Sequence, residues 1–230
     1  MADVRDQRRM AAARALLRIA NLSSVSQMGV IALLGGWFGL ALSSYAMFLP
    51  RHPGQVLGGQ TFAAMVKVPV VLLATLLVGY WIALLLNMVL RTRIAAHPLW
   101  RLWLRVMLLM SWFLLVLSPV ALVIGLFHNY ALCVLSSYGL FALAGAAAAL
   151  HLLGELRMRS RHGGHYAPGT SRFLVLWGLW TLAFACTGLT LGWIVRPFIG
   201  YAGQPFTWFR VEHASVFEQI YHEWHNLLGH

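Results

Sequence analysis

The chain has 230 residues, of which 60% are hydrophobic and only 10% charged, with a net charge of +11. Water-soluble domains carry about a quarter charged residues, so the polar cover needed to fold in water is missing and the length suits one compact membrane bundle. Sixteen of the seventeen basic residues are arginines beside hydrophobic segments, which suits anionic headgroups and topogenic signals but leaves no polar face for nucleic acid.

The N-terminal stretch MADVRDQRRMAAARALLRIANLSS is basic and runs into an apolar segment long enough to span. It has no small-residue cleavage site, so the first hydrophobic segment is expected to stay. Met10, Leu16, Leu17, Ile19 and Ala20 among the arginines fit either a short basic amphipathic helix on the inner leaflet or a disordered topogenic tail.

Crossing a bilayer takes roughly 20 mainly apolar residues, and the chain offers five such runs: 27–49, 66–90, 106–127, 129–153 and 173–199. Each must be helical, because the alternation a transmembrane barrel needs is absent. Pro50 closes the first run, Pro69 falls in the expected first turn of the second, and Pro119 lies within the third. RLWLR, ahead of the third run, is expected to set Trp100 and Trp103 at headgroup depth as interfacial anchors.

Lys and Arg counts in successive flanks run five, two, four, none, four and two, with Arg51 and Lys67 forming the first poor flank. The alternation places the N-terminus in the cytoplasm and the C-terminus outside, as for a bacterial inner-membrane protein. The expected organisation is a basic segment over 1–25, a five-helix bundle over 26–200 and an extracytoplasmic tail over 201–230. In the tail, Val216, Phe217, Ile220, Tyr221, Trp224, Leu227 and Leu228 recur at helical spacing, too short to span, so they lie on the interface or on a partner. The fold class is therefore all-α integral membrane protein, with five transmembrane helices plus a C-terminal amphipathic interfacial helix.

Little chemistry is legible. His128 and His151 lie at opposite ends of the fourth run, about 35 Å apart at the helical rise, and cannot share a haem. His222 and His225 have the spacing to face one ion, but interfacial histidines need none, so neither metal nor cofactor is expected. Cys133 and Cys186 sit within apolar runs and match no CxxC pattern, so they read as packing thiols. None of the six carboxylates lies within a span, and no nucleotide-binding, hydrolase or metalloprotease motif is present, so no enzyme is expected.

Small residues recur at helix-contact spacing: Gly35 with Gly39, Ala32 with Gly36, and Gly145 with Ala149. Such pairs let helix backbones approach closely in lipid, within the bundle or against another subunit. The run LGWIVRPFIGYAGQPFTWFR ends the fifth span with Trp193, Arg196, Pro197, Phe198 and Gly200, then Trp208, Phe209 and Arg210. An arginine at the bilayer centre costs about 2.5–3.5 kcal/mol on insertion scales, but at a helix end it snorkels and most of that cost disappears. This run, with KVPVVLLATLL and NYALCVLSSYGLFALAG, resembles a family of bacterial multi-pass membrane proteins of unnamed activity that share a Trp-x-x-Arg-Pro-Phe-x-Gly signature. After the signature's first glycine, where the family has Ser-Pro, this chain has Tyr201-Ala202. The resemblance implies that the arginine segment is a shared feature, docking a partner or closing the bundle.

These readings converge on a non-enzymatic scaffolding subunit of a membrane complex, with lipid and other membrane subunits as partners. Two alternatives stand beside it. One is an oligomeric transport or channel component with Thr75, Asn87, Ser118 and Thr187 facing a path, and the other is a lipid-binding or membrane-shaping protein.

Overall fold

The computed structural model describes residues 23–44, 57–90, 95–127, 129–161, 170–195, 208 and 216–228, and among these it is all-helical. The helices are α1 (Ser24–Leu42), α2 (Leu57–Val89), α3 (Ala96–Gly125), α4 (Tyr130–Arg161), α5 (Thr170–Val195) and α6 (Val216–Leu228). Five are long and apolar enough to cross a membrane, over Ser24–Leu42, Gly59–Val89, Ala96–Gly125, Tyr130–His151 and Trp177–Val195. The N-terminal segment and the residues from Arg196 to Thr207 lie outside the described residues.

Local chemistry sets the ends of α1. The Ser23 side chain accepts the Ser26 amide at 3.3 Å, satisfying one of the helix's orphan donors. At the far end the Ser43 amide donates to the Gly39 carbonyl at 3.1 Å and the Ser43 hydroxyl to that of Leu40 at 2.7 Å. The second helix begins at Leu57 rather than at residue 66. Its first turns, LGGQTFAAM, are too polar and glycine-rich to read as a span, but Ala63 and Ala64 are fully buried. A Cβ on Gly39 would collide with the Ala64 carbonyl, its carbon only 2.8 Å away, so α1 and α2 touch backbone to backbone. That contact carries the helix past its hydropathy boundary.

Two expectations change in consequence. Pro69 lies inside α2 rather than in its first turn. It withholds the N–H that would meet the Met65 carbonyl, and this is tolerated within a packed bundle. Lys67 is no loop residue either: it sits within the second span with only 3% of its surface exposed.

The third helix also starts early, at Ala96, which converts the expected interfacial loop into helix. Trp103 is a core residue, 3% exposed, rather than a headgroup anchor. Its indole N–H donates to the Leu76 carbonyl at 2.7 Å, and its ring fills the place a Cβ on Gly79 would take, 2.5 Å away. Trp100 donates to the Ser24 hydroxyl at 3.2 Å, joining the starts of α1 and α3.

Helix α1 packs on both α2 and α3, α3 packs on α4, and α2 on α5, whereas α4 and α5 scarcely touch. One core runs through the molecule, from Ile31 and Phe38 on α1 through Leu72, Leu76, Leu104 and Met107 to Ala144, Ala148 and Trp180. Helix α6 rests mainly on α4. It turns Glu223 inward, while Tyr221, Trp224 and Leu228 are exposed.

Candidate functional site

The gap between α4 and α5 opens into a cavity of about 270 Å³. One wall is α2, through Val71, Leu72 and Thr75, and another is α3, through Trp103, Val106 and Met110. From α4 come Ser137, Phe141, Gly145, Ala146 and Ala149; from α5 come Trp177, Trp180, Thr181, Phe184, Ala185 and Gly188. The helical repeat explains the two outer walls: on each, residues three or four apart present one face. Gly145, Ala146 and Ala149 on α4 and Ala185 and Gly188 on α5 are small residues of the kind that usually draw helices together, yet here they border open space. The lining runs from Thr75, Met110 and Phe141, near the midpoints of their spans, to Trp103, Ala149 and Trp177, toward the span ends.

Aromatic rings hold it open. Trp103 lies 5.5 Å from both Trp180 and Phe184, tilted 59° to the first and perpendicular to the second at 90°. Trp177 meets Trp180 at 5.9 Å, and Phe141 is braced edge-on by Phe38 at 5.4 Å. Such edge and tilted contacts are favourable ring geometries, so the walls are braced from outside rather than free to collapse. Thr75 and Trp180 contribute to the lining, but the Thr75 hydroxyl and the Trp180 indole nitrogen are themselves covered by protein and have no hydrogen-bond partner.

A second feature is Lys67, the only lysine in the chain. Buried in the first half of α2, its ammonium donates to the Trp208 carbonyl, and the Trp208 ring packs edge-on against Phe62 at 6.4 Å. An ionisable group inside a span is expensive and marks a site of special use. Lys67 lies one turn from Val71 and two from Thr75, on the face of α2 that borders the cavity.

The predicted interface residues are dispersed. Gly35 and Gly39 pack α1 on α2; a Cβ on Gly35 would come 2.8 Å from Leu72 Cδ1. Gly145 and Ala149 line the cavity, with Phe184 3.8 Å from a Cβ built on Gly145. Trp193 is half-buried near the end of α5, and Trp208 is held by Lys67. Arg196, Pro197, Phe198, Gly200, Phe209 and Arg210 lie outside the described residues. On α6, Tyr221 meets His225 edge-on at 4.3 Å and His222 edge-on at 6.2 Å. Among the described residues no three His, Cys, Asp or Glu side chains gather at one point. Of the residues a transport path would use, Thr75 lines the cavity, whereas the Ser118 and Thr187 hydroxyls donate to carbonyls of their own helices at 2.7 and 2.8 Å.

The reading from sequence missed Lys67 as a buried residue and Trp180, and named Thr75 only among residues facing a transport path. A lysine, a valine and a threonine at four-residue steps on α2, and Trp177, Trp180 and Phe184 on α5, were visible as periodic faces. Nothing in the periodicity said that those faces enclose a space. Comparison with known proteins gives no match: no protein-family profile, curated protein or solved structure aligns with the chain.

Proposed function

We propose that this chain is a non-enzymatic multi-pass membrane protein that serves as a structural subunit of a larger membrane complex. The observation that carries the reading is the uncovered pair of small-residue faces on α4 and α5. In each of the first four spans 39% of the most apolar stretch is buried, against 11% in the fifth. Exposed leucines there mean little, since lipid is as apolar as leucine, but small residues lying open are unusual because they are the surfaces on which membrane helices associate. Gly139, Ala142 and Ala146 on α4 and Gly178, Ala185 and Cys186 on α5 are all exposed, and Gly139 and Gly178 have no neighbour within 4 Å of a built Cβ. A helix from another subunit fits against such a face.

In this reading the N-terminus is cytoplasmic and the C-terminus extracytoplasmic in a bacterial inner membrane. The arginine alternation supports that orientation, and the Lys67–Trp208 bond agrees with it by holding Trp208 beside the α1–α2 end of the bundle, the arginine-poor one. Helix α6 then lies as an amphipathic element along the outer interface, with Tyr221 and Trp224 directed outward at headgroup level.

Extraction from native membranes in mild detergent tests the proposal. A second membrane protein should be recovered in stoichiometric amount, and Gly139→Leu or Gly178→Leu, at open positions where folding tolerates a side chain, should remove it. Recovery of a lone, monodisperse chain under the same conditions would refute the subunit reading.

A further inference from the structure

We infer that the gap between α4 and α5 is a slot for one acyl chain of an anionic phospholipid, entered from the membrane face where α4 ends and α5 begins. The inference goes beyond the subunit reading and does not rest on it.

The first argument is the chemistry of the wall. Polar groups of the lining are turned into protein. The Ser137 hydroxyl donates to the Val134 carbonyl at 2.7 Å, and that of Thr181 to the Trp177 carbonyl at 2.9 Å. The Trp103 indole N–H is taken up by the Leu76 carbonyl, and the Thr75 hydroxyl and Trp180 indole nitrogen are covered. What the slot offers an occupant is therefore almost wholly carbon. That suits a hydrocarbon and gives water too few partners to stay.

The second argument is shape. Along α4 the lining runs from Ser137 to Ala149, about 18 Å at the helical rise, and along α5 from Trp177 to Gly192, about 22 Å. The hydrocarbon of one leaflet is roughly 15 Å thick, so an extended chain entering at the Ala149–Trp177 end runs most of the slot. Ala142 and Ala146 on α4, and Thr181 and Ala185 on α5, are exposed as well as lining, so the slot opens sideways to lipid. Within it the Phe184 ring stands 3.8 Å from a Cβ built on Gly145. A helix, about 10–12 Å across, is too wide to enter there. A partner helix lies instead over the rims at Gly139 and Gly178, which are not part of the lining.

The third argument is the charge at the entry. Beyond Ala149 and Trp177, Arg157, Arg159 and Arg161 close α4 and Arg172 stands in the first turn of α5. Glu155 is the only acid between residues 150 and 176. Arg172 lies roughly 21 Å along α5 from Cys186, the middle of the fifth span, and headgroups extend about 20–22 Å from the mid-plane. This end of the slot thus reaches phosphate depth among positive charges, which attract acidic lipid.

Native mass spectrometry tests this on the full chain, delipidated in mild detergent and titrated with phosphatidylglycerol or phosphatidylcholine of identical acyl chains. The expected result is one phosphatidylglycerol per chain, bound with saturation. It should bind at least about fivefold tighter than phosphatidylcholine, the worth of one arginine near the surface. Ala146→Leu and Ala185→Leu fill the slot from exposed positions and should remove that single adduct. Leu33→Phe, which adds bulk on the exposed face of α1, should leave it. Arg157→Gln combined with Arg172→Gln should erase the preference between headgroups while one lipid still binds. Adducts that accumulate without a one-per-chain step, equal binding of the two lipids by the unaltered chain, or a single adduct surviving in both folded slot variants would overturn the inference. The assay uses the isolated chain, so its outcome is separate from whether a partner subunit is found.

Discussion

The two halves of the bundle are built from similar residues and packed in opposite ways. Between α1, α2 and α3, glycine is used for contact: Gly35, Gly39 and Gly79 each meet a neighbouring side chain or backbone that leaves no place for a Cβ. On α4 and α5 the same residue types are present, but Gly139, Gly154 and Gly178 look onto open space, and Gly145 and Gly188 leave room for a Cβ at ordinary contact distance. The difference shows that small residues in lipid permit close approach without commanding it. What closes the first half is the match of α1 to the first turns of α2, together with the Trp103 ring and its bond to the Leu76 carbonyl. In the second half, bulky rings at Trp177, Trp180 and Phe184 stand where interdigitation would have to occur, and they hold α5 off α4.

The largest test of that contrast is Trp103→Ala. It empties the point where α2, α3 and α5 meet and should cost about 3–5 kcal/mol, as large core truncations do. Equilibrium unfolding in mixed micelles measures it, and a loss below 1 kcal/mol would contradict the central place given to this ring. Next come Gly39→Ala and Gly79→Ala, where the added methyl must displace the Ala64 backbone or the Trp103 ring. Each should lose about 1–3 kcal/mol in the same assay, the usual cost of overpacking.

Smaller effects are expected at the edges. In Lys67→Met, relief from a buried charge opposes loss of the charge-assisted bond to Trp208. The two nearly cancel, leaving a net change within about 1 kcal/mol. The local consequence should still be visible as a red shift of the Trp208 emission, isolated by difference against Trp208→Phe. At the other extreme, Gly139→Ala and Gly178→Ala should leave stability unchanged or raise it by up to about 1 kcal/mol, because alanine is the better helix former and nothing stands in its way. A loss at these two positions as large as at Gly39 would abolish the distinction between the halves.

Much of the architecture was legible because lipid imposes a simple rule: a backbone in hydrocarbon must satisfy itself, so long apolar runs are helices and their number follows from length and hydropathy. The five spans follow from that rule alone. The starts of α2 and α3 escaped it, since LGGQTFAAM and HPLWRLW are too polar or too mixed to register as apolar, and they are helical because other helices cover them. Lys67 was counted with a loop for the same reason. The RLWLR tryptophans illustrate the limit well. Both residues suit an interface by type, yet Trp103 is buried because Gly79 leaves a space its ring fills.

The amino-acid sequence by itself determined that this is a helical membrane protein with five apolar helices, since hydropathy and length are summed along the chain and need no knowledge of neighbours. Only the tertiary structure decided which small residues touch and which stand apart, that a lysine lies buried against Trp208, and that Thr75 and Trp180 from different helices contribute to one cavity. Those properties depend on how faces from different helices meet, and periodicity defines a face without saying what lies opposite it.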